Sequence, residues 1–261
     1  AHMNLKIVFY YLGWVLNIAV LMLLPCAVSL IYGDGMLPYF LVTMVICTVI
    51  GFMTAHKKPA DTVFYAREGF LTVALTWVML SFFGALPFWF SRQIPSLVDA
   101  MFETISGFTT TGASILSDVE ALSPSLLMWR SFTHWVGGMG VLVFVLAILP
   151  LAGGGYSMYL MRAESPGPSV GKLTPKVKNT AKILYLIYLV MTVLQMILLL
   201  IGGMPLFDSL ATSFGTAGTG GFGIWNDSIA HYNSYYLQGV ITVFMILFGV
   251  NFNVYYLLSI R

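Results

Sequence analysis

SGFTTTGASIL (residues 106–116) places three threonines, two glycines and two serines between two strongly apolar segments. A second stretch, GTAGTGGFGIW (residues 215–225), repeats the pattern between two more. Polar, glycine-rich chain in such surroundings needs a physical reason, because backbone that is neither helical nor paired leaves amide and carbonyl groups unsatisfied.

The surroundings are set by composition. Hydrophobic residues fill 59% of the 261 positions and charged residues 8%, against about a quarter charged in an ordinary soluble domain. The chain is therefore read as an integral membrane protein whose first partner is the lipid bilayer. Its net charge of +2 excludes nucleic acid as an expected partner, and the few basic residues serve as topology signals. Cys26 and Cys47 lie inside apolar runs, where a thiol packs as a small hydrophobe, so neither a disulfide nor a metal site is inferred. The opening Ala-His-Met is read as an expression scar, and the first apolar run is long enough to be an anchor rather than a cleaved signal.

About 20 apolar residues cross the roughly 30 Å of hydrocarbon. Six runs come near or above that length: Leu5 to Tyr32, Met36 to Ala55, Phe70 to Phe90, Leu126 to Leu151, Ile183 to Gly203 and Tyr235 to Ser259. Between the third and fourth lies an insert from Pro95 to Leu122, and between the fifth and sixth another from Pro205 to Asn233, each opening with a helical stretch too short to span. With the amino terminus inside, Lys6, Lys57, Lys58, Arg67, Arg162, Lys172, Lys176, Lys178, Lys182 and Arg261 face the cytoplasm, and only Arg92 and Arg130 lie near the outer surface. This bias predicts six spans with both termini cytoplasmic, and makes each insert re-entrant from outside. The stretch from His56 to Glu68 is read as a short amphipathic piece along the interface, and the Pro-, Gly- and Lys-bearing segment from Ala152 to Lys182 as a cytoplasmic linker.

An internal repeat organises the rest. A shift of 109 positions lays Asp99 on Asp208, Thr110 on Thr219 and Gly112 on Gly221 without a gap. Each unit reads span, short helix, Thr/Gly turn, polar outer loop, span. Non-helical backbone at membrane depth is tolerated where it is buried in protein or lines a water-filled path. Glycine admits the positive φ angles that turn carbonyls inward, and such carbonyls can replace the hydration shell of a cation. Asp99 and Asp208 suit the amino ends of the short helices, whose carboxyl ends direct partial negative charge inward. A glycine-rich packing turn is the plainer alternative for either loop alone.

Other residues carry less. Small residues in HWVGGMG (residues 134–140) are read as a close helix approach, with pore bending as the alternative. Arg130 is costly in hydrocarbon and is expected to pair with Glu103, unless Glu103 faces the permeation path. There is no HExxH, GxSxG or GxxxxGK[ST] motif. An intramembrane hydrolase built on Ser106 and His134 is disfavoured because the short helix already explains Ser106, so no enzyme is predicted.

The segments SGFTTTGAS, HWVGGMGVLVFVLAILP, MRAESPGP and TAGTGGFG together resemble the Trk/Ktr/HKT superfamily of potassium-uptake subunits, in particular the bacterial TrkH type. The resemblance implies an all-α, potassium-channel-like fold: an accessory helix pair (1–60), a first helix/pore-loop/helix repeat (61–151), the linker (152–182) and a second repeat (183–261). It implies filter glycines at Gly112 and Gly221, flanked by Thr110, Thr111, Ala113 and Ser114 and by Thr219, Gly220, Phe222 and Gly223. Potassium, the transported ion, would meet backbone carbonyls at Thr110, Thr111, Gly112, Thr219, Gly220 and Gly221, with no organic cofactor. It further implies a bacterial inner-membrane location, a homodimer and cytosolic nucleotide-binding regulatory subunits, for which Arg162 to Lys182 is a plausible contact. The family has four units where two are found here. Either the chain is half of a longer protein, the favoured reading, or two copies complete the ring. One glycine per quarter predicts weaker discrimination against sodium than a TVGYG filter gives. The rival functions are a secondary transporter with a broken-helix site, which predicts inverted repeats, and a non-conducting assembly or regulatory subunit.

Overall fold

The computed structural model describes residues 3–61, 66–140 and 177–259, and every regular element among them is helical. The first passage begins at α1 (Leu5–Val15), where the Asn4 side chain accepts from the Ile7 amide at 3.3 Å. It tightens into a 3-10 segment (Leu16–Met22) and continues as α2 (Leu23–Tyr32). The tightening lies in the turns just before Pro25, which has no N–H to donate and whose ring crowds the preceding turn. Gly33, at φ 62°, ends α2 in the left-handed conformation that glycine adopts without cost.

The accessory pair is completed by α3 (Leu37–Ala55), which carries Pro38 in its first turn. The helices close where Gly13 faces Thr54 and a Cβ on Gly51 would lie 2.9 Å from Gly13 O. Small residues at a crossing allow this approach, which hydrophobic driving force does not supply in lipid. Residues His56 to Asp61 carry no helix, so the expected amphipathic piece is absent there, and residues 62–65 of it lie outside the described residues.

The first repeat comprises α4 (Ala66–Phe90), α5 (Leu97–Phe108) and α6 (Pro124–Gly138). The second comprises α7 (Val177–Ile201), α8 (Leu206–Ala217), α9 (Tyr235–Gly249) and α10 (Phe252–Ser259). Leu5–Tyr32, Leu37–Ala55, Arg67–Phe90 and Ala181–Ile201 are long and apolar enough to cross a membrane. At 12 residues each, α5 and α8 reach only about 18 Å and stop partway. Within the repeats α5 packs between α4 and α6, and α8 between α6 and α7, so α6 is shared by both short helices. Trp129 on α6 is fully buried against Phe40 and Phe108 and donates to Gly84 O at 2.9 Å, joining the accessory pair, α5 and α4.

Three expected spans differ in detail. Of the run Leu126 to Leu151, the described part holds α6, which ends at Gly138. Met139 caps it and Gly140 takes φ 74°, a conformation that ends a helix, while residues 141–151 lie outside the described residues. The run Tyr235 to Ser259 is two helices, because Val250 turns extended (ψ 143°) after Gly249, and the Tyr255 hydroxyl then bonds back to Leu247 O at 2.6 Å. Helix α7 is already formed at Val177, inside the expected linker. The remainder of that linker, residues 152–176, lies outside the described residues.

The accessory pair also supplies a cap. Ser123, the N-cap of α6, makes no capping bond with its own side chain. Instead Asp34 Oδ2 accepts from the Ser125 amide at 3.0 Å, and Oδ1 accepts from Ser29 Oγ at 2.5 Å and the Met36 amide at 3.1 Å. A carboxylate at a helix amino end satisfies an orphan donor and complements the dipole. Burial alone would raise the Asp34 carboxyl, but donors from Ser125, Ser29 and Met36 outweigh it and hold the group below its ordinary value of 3.8. A lowered folded value contributes stability above the unfolded value, which is lost as pH falls through the folded one. Asp34→Asn is therefore expected to cost about 1–2 kcal/mol at pH 7, read as a lower thermal midpoint in detergent. The gap from the parent should close as pH falls below 3.8.

Candidate functional site

Each short helix ends with left-handed residues at matching positions, although the closing hydrogen bonds differ. Helix α5 closes with the Thr110 amide donating to Gly107 O at 3.1 Å and the Thr111 amide to Ser106 O at 2.9 Å, a Schellman arrangement. It places Thr110 at φ 54°, where glycine is the usual occupant, and Gly112 follows at φ 77°. Helix α8 closes with Thr219 donating to Thr216 O at 2.9 Å and Gly221 to Gly215 O at 3.2 Å, with Thr219 at φ 57° and Gly221 at φ 81°. Left-handed residues thus sit at the first and third positions of both turns. Alternation of this kind turns successive carbonyls toward one side, at a cost of about 1–2 kcal/mol for each threonine.

The two turns meet. A Cβ on Gly112 would collide with Gly220 O, whereas one on Gly221 would meet nothing within 4 Å. Thr111, Ala113, Ser114, Thr219 and Gly221 are exposed, while Thr110, Gly112, Gly220 and Gly223 are half-buried. The side chain of Phe222 instead turns inward and is 4% exposed.

Behind the turns lies the ion pair of Glu103 on α5 and Arg130 on α6. Arg130 Nε stands 2.6 Å from Glu103 Oε1, with side chains 3% and 0% exposed. Glu103 also accepts from Ser114 Oγ at 2.7 Å and from the Ile115 amide at 2.9 Å, both just beyond the first turn. Arg130 Nη1 donates to Gly223 O at 2.7 Å, just beyond the second turn, and its guanidinium carbon lies 3.6 Å from the Phe222 ring centroid. One pair therefore fastens both turns, and Glu103 is committed to it.

The glycines of HWVGGMG seat α6 against both short helices. A Cβ on Gly137 would collide with Phe108 O, and one on Gly138 would lie 2.7 Å from Gly218 Cα. His134 is fully buried, stacks on Phe222 with centroids 4.0 Å apart and abuts Gly220. Ser106 and His134 do not hydrogen-bond each other, so the pair forms no nucleophile and base.

The two expected helix-start aspartates differ. Asp99 is half-buried in the first turn of α5, whose N-cap Ser96 accepts from the Asp99 amide at 3.4 Å. Asp208 is buried in the first turn of α8 and accepts from Trp225 Nε1 at 3.2 Å and the Tyr232 hydroxyl at 2.7 Å. Burial first, and then the Asp208 carboxylate, push the Tyr232 hydroxyl above its ordinary range, so it stays a neutral donor. Asn226 locks the outer loops, accepting from the Val119 amide at 2.8 Å and donating from Nδ2 to Asp118 Oδ1 at 2.8 Å. Sequence reasoning missed Trp225, Asn226 and Tyr232; their signal was only a cluster of polar and aromatic residues after the second turn.

Gly112→Ala is expected to destabilise the protein by more than about 3 kcal/mol, because it adds a backbone collision to the strain of a positive φ. Gly221→Ala should cost only the strain, about 1–2 kcal/mol, and thermal denaturation of the two variants should separate them. Glu103→Gln leaves Arg130 buried without its counter-charge and should cost about 3–5 kcal/mol, with Glu103→Gln/Arg130→Gln less damaging than the single change.

A family model for TrkH, described as a cation transport protein, matches residues 37–261. The Trk system potassium uptake protein TrkH of Escherichia coli K12 is 40% identical over 240 residues, which cover 90% of this chain and 49% of that protein. An uncharacterized cation transporter of Methanocaldococcus jannaschii is 32% identical over 251 residues, covering 95% and 52%. The crystal structure of the potassium transporter TrkH from Vibrio parahaemolyticus superposes with a TM-score of 0.81 at 31% identity, covering 97% of this chain and 52% of that one. The chain spans about half the length of the curated relatives it matches. With a matched family sequence running through both polar turns and the shared helix α6, the chain belongs to the TrkH family of cation transport proteins.

Proposed function

We propose that the chain supplies two quarters of a potassium-selective filter in a Trk-type uptake system of the bacterial inner membrane. The observation that carries this is the repeated backbone pattern, left-handed at Thr110 and Gly112 and again at Thr219 and Gly221. Carbonyls of Thr110, Thr111, Gly112, Thr219, Gly220 and Gly221 replace the water around the ion, which needs no catalytic side chain. Ala113, Ser114, Phe222 and Gly223 fix the outer ends of the turns. The accessory pair (1–60), the two repeats (61–151 and 183–261) and the linker between them are the working units, with both termini cytoplasmic.

The edges of this half-ring support its completion by further units. On α5, Val98, Phe102 and Ile105 are exposed. Their matches on α8 are Phe207, Ala211 and Phe214, of which Ala211 is fully buried and Phe214 lies 5.0 Å from Phe132 of α6. The first short helix thus presents, uncovered, the face that the second covers with the outer helix of the preceding repeat. A dimer of the complete protein and nucleotide-binding regulatory subunits at the cytoplasmic face, near Arg162 to Lys182, belong to the same reading. That linker contact lies outside the described residues up to Lys176.

A secondary transporter with inverted repeats is the less favoured reading, because the two positive-φ turns repeat at a constant 109-residue offset and meet each other at Gly112 and Gly220. The test is flux in vesicles containing the full-length protein that carries this chain. Potassium and rubidium uptake should exceed sodium uptake by a modest factor, and Gly221→Ala should lower potassium uptake at least tenfold. Equal sodium and potassium flux would reject the potassium assignment.

A further inference from the structure

The second turn ends in an anchor that the first lacks. Phe222, which follows Gly221, buries its ring 3.6 Å from the Arg130 guanidinium carbon and 4.0 Å from the His134 ring centroid. A Cβ on Gly107 would come within 3.5 Å of the same ring. Gly107, Arg130 and His134 therefore wall a slot in the first repeat, and the next repeat fills it.

The second repeat carries the corresponding slot. By the 109-residue shift of the short helices, Glu103 and Gly107 match Thr212 and Thr216. Counted from the capping serines Ser123 and Ser234, Arg130 and His134 on α6 match Ile241 and Met245 on α9. Thr212, Thr216, Ile241 and Met245 line one cavity of about 260 Å³, which Thr219, Gly220 and Gly221 of the turn and Ser228 also border. We propose that this cavity receives the side chain that follows the filter glycine of a third repeat, and that this side chain is apolar and larger than alanine. The proposal rests on the filter reading above and adds the occupant of the next boundary.

A second copy of this chain is the wrong occupant. In a ring of two copies the first turn of one would follow the second turn of the other. It would bring Ala113, the match of Phe222, and one methyl group leaves most of 260 Å³ unfilled. Phe222 of that copy is already buried in its own slot. The relatives are about twice as long as the chain, so they have the length for further repeats.

The lining sets the chemistry. Ile241 and Thr212 stand where the first repeat has Arg130 and Glu103, so the second slot has no guanidinium to hold a carbonyl and no carboxylate to cancel one. Thr216 Oγ1 is occupied with Thr212 O at 2.8 Å. A charged occupant would be left unpaired there, whereas an aliphatic or aromatic one packs against Ile241 and Met245.

The test uses a protein of its relatives' full length that contains this chain. Met245 is 54% exposed in the half-ring, so Met245→Trp narrows the slot with little effect on the repeat that bears it. Rubidium uptake should fall at least tenfold in Met245→Trp and stay within twofold of the parent in Met245→Leu. Parental uptake in Met245→Trp would overturn the slot, and if Gly221→Ala still abolished uptake the filter reading would stand. Normal uptake in Gly221→Ala would sink that reading instead. As a second measurement, Ala113→Cys/Met245→Cys in the full-length protein should give no disulfide between copies, and an efficient one would overturn the third-repeat occupant in favour of a second copy.

Discussion

Glu103 and Arg130 form the contact on which both polar turns depend. Bringing a carboxylate and a guanidinium out of water costs several kcal/mol per ion, repaid only when geometry and the remaining hydrogen bonds are complete. Both conditions hold here. Glu103 takes donors from Arg130, Ser114 and the Ile115 amide, and Arg130 reaches Gly223 O and the Phe222 ring besides. The backbone beyond each turn is neither helix nor strand, so its amides and carbonyls need partners from elsewhere. One ion pair provides them on both sides of the contact between Gly112 and Gly220.

The same pair solves an electrostatic problem that the filter reading creates. A lone guanidinium within hydrogen-bond reach of Gly223 O would repel the cations that the neighbouring carbonyls are to attract. Glu103 cancels that charge at 2.6 Å, leaving helix dipoles and carbonyls to set the sign of the site. The two repeats reach this end differently. Their φ angles agree within a few degrees at both left-handed positions, yet the first turn is held by Glu103 and the second by Arg130, with Asp208 gripping Trp225 and Tyr232 further out. Backbone geometry is repeated while the side chains that hold it are not, which is why so few identities survive the 109-residue shift.

What could be read from the residues follows from range. The polarity of Thr109 to Ser114 stands out against apolar flanks, and the cost of Arg130 in hydrocarbon pointed to Glu103, because both are local violations of a membrane rule. HWVGGMG announced a close approach by its small residues, though which backbones it meets, Phe108 and Gly218, required the fold. The cap on α6 was invisible, since Asp34 is 91 residues from Ser125 and looks like an ordinary turn residue. The left-handed threonines were missed because glycine was the expected occupant. The break at Val250 escaped although Gly249, Asn251 and Asn253 flank it, because the apolar residues on either side were joined into one run: an apolar run reports burial in lipid, not helix continuity.

Carbonyl sites discriminate between ions by how many oxygens they offer and how firmly those oxygens are held. At the boundary between the two repeats the hold is stiff: a glycine contact with no room for a Cβ, a buried ion pair, and Phe222 lodged between α6 and α5. At the outer edge of the second repeat the matching positions are Thr212, Thr216, Ile241 and Met245, uncharged and lining open volume. A ring assembled from such unlike boundaries cannot hold its quarters with equal force, because packing against aliphatic side chains yields more readily than a satisfied ion pair. Unequal stiffness lets some carbonyls follow a smaller ion inward while others stay fixed. On the filter reading, modest preference for potassium over sodium is then a consequence of the asymmetry between the repeats and does not depend on the number of glycines alone.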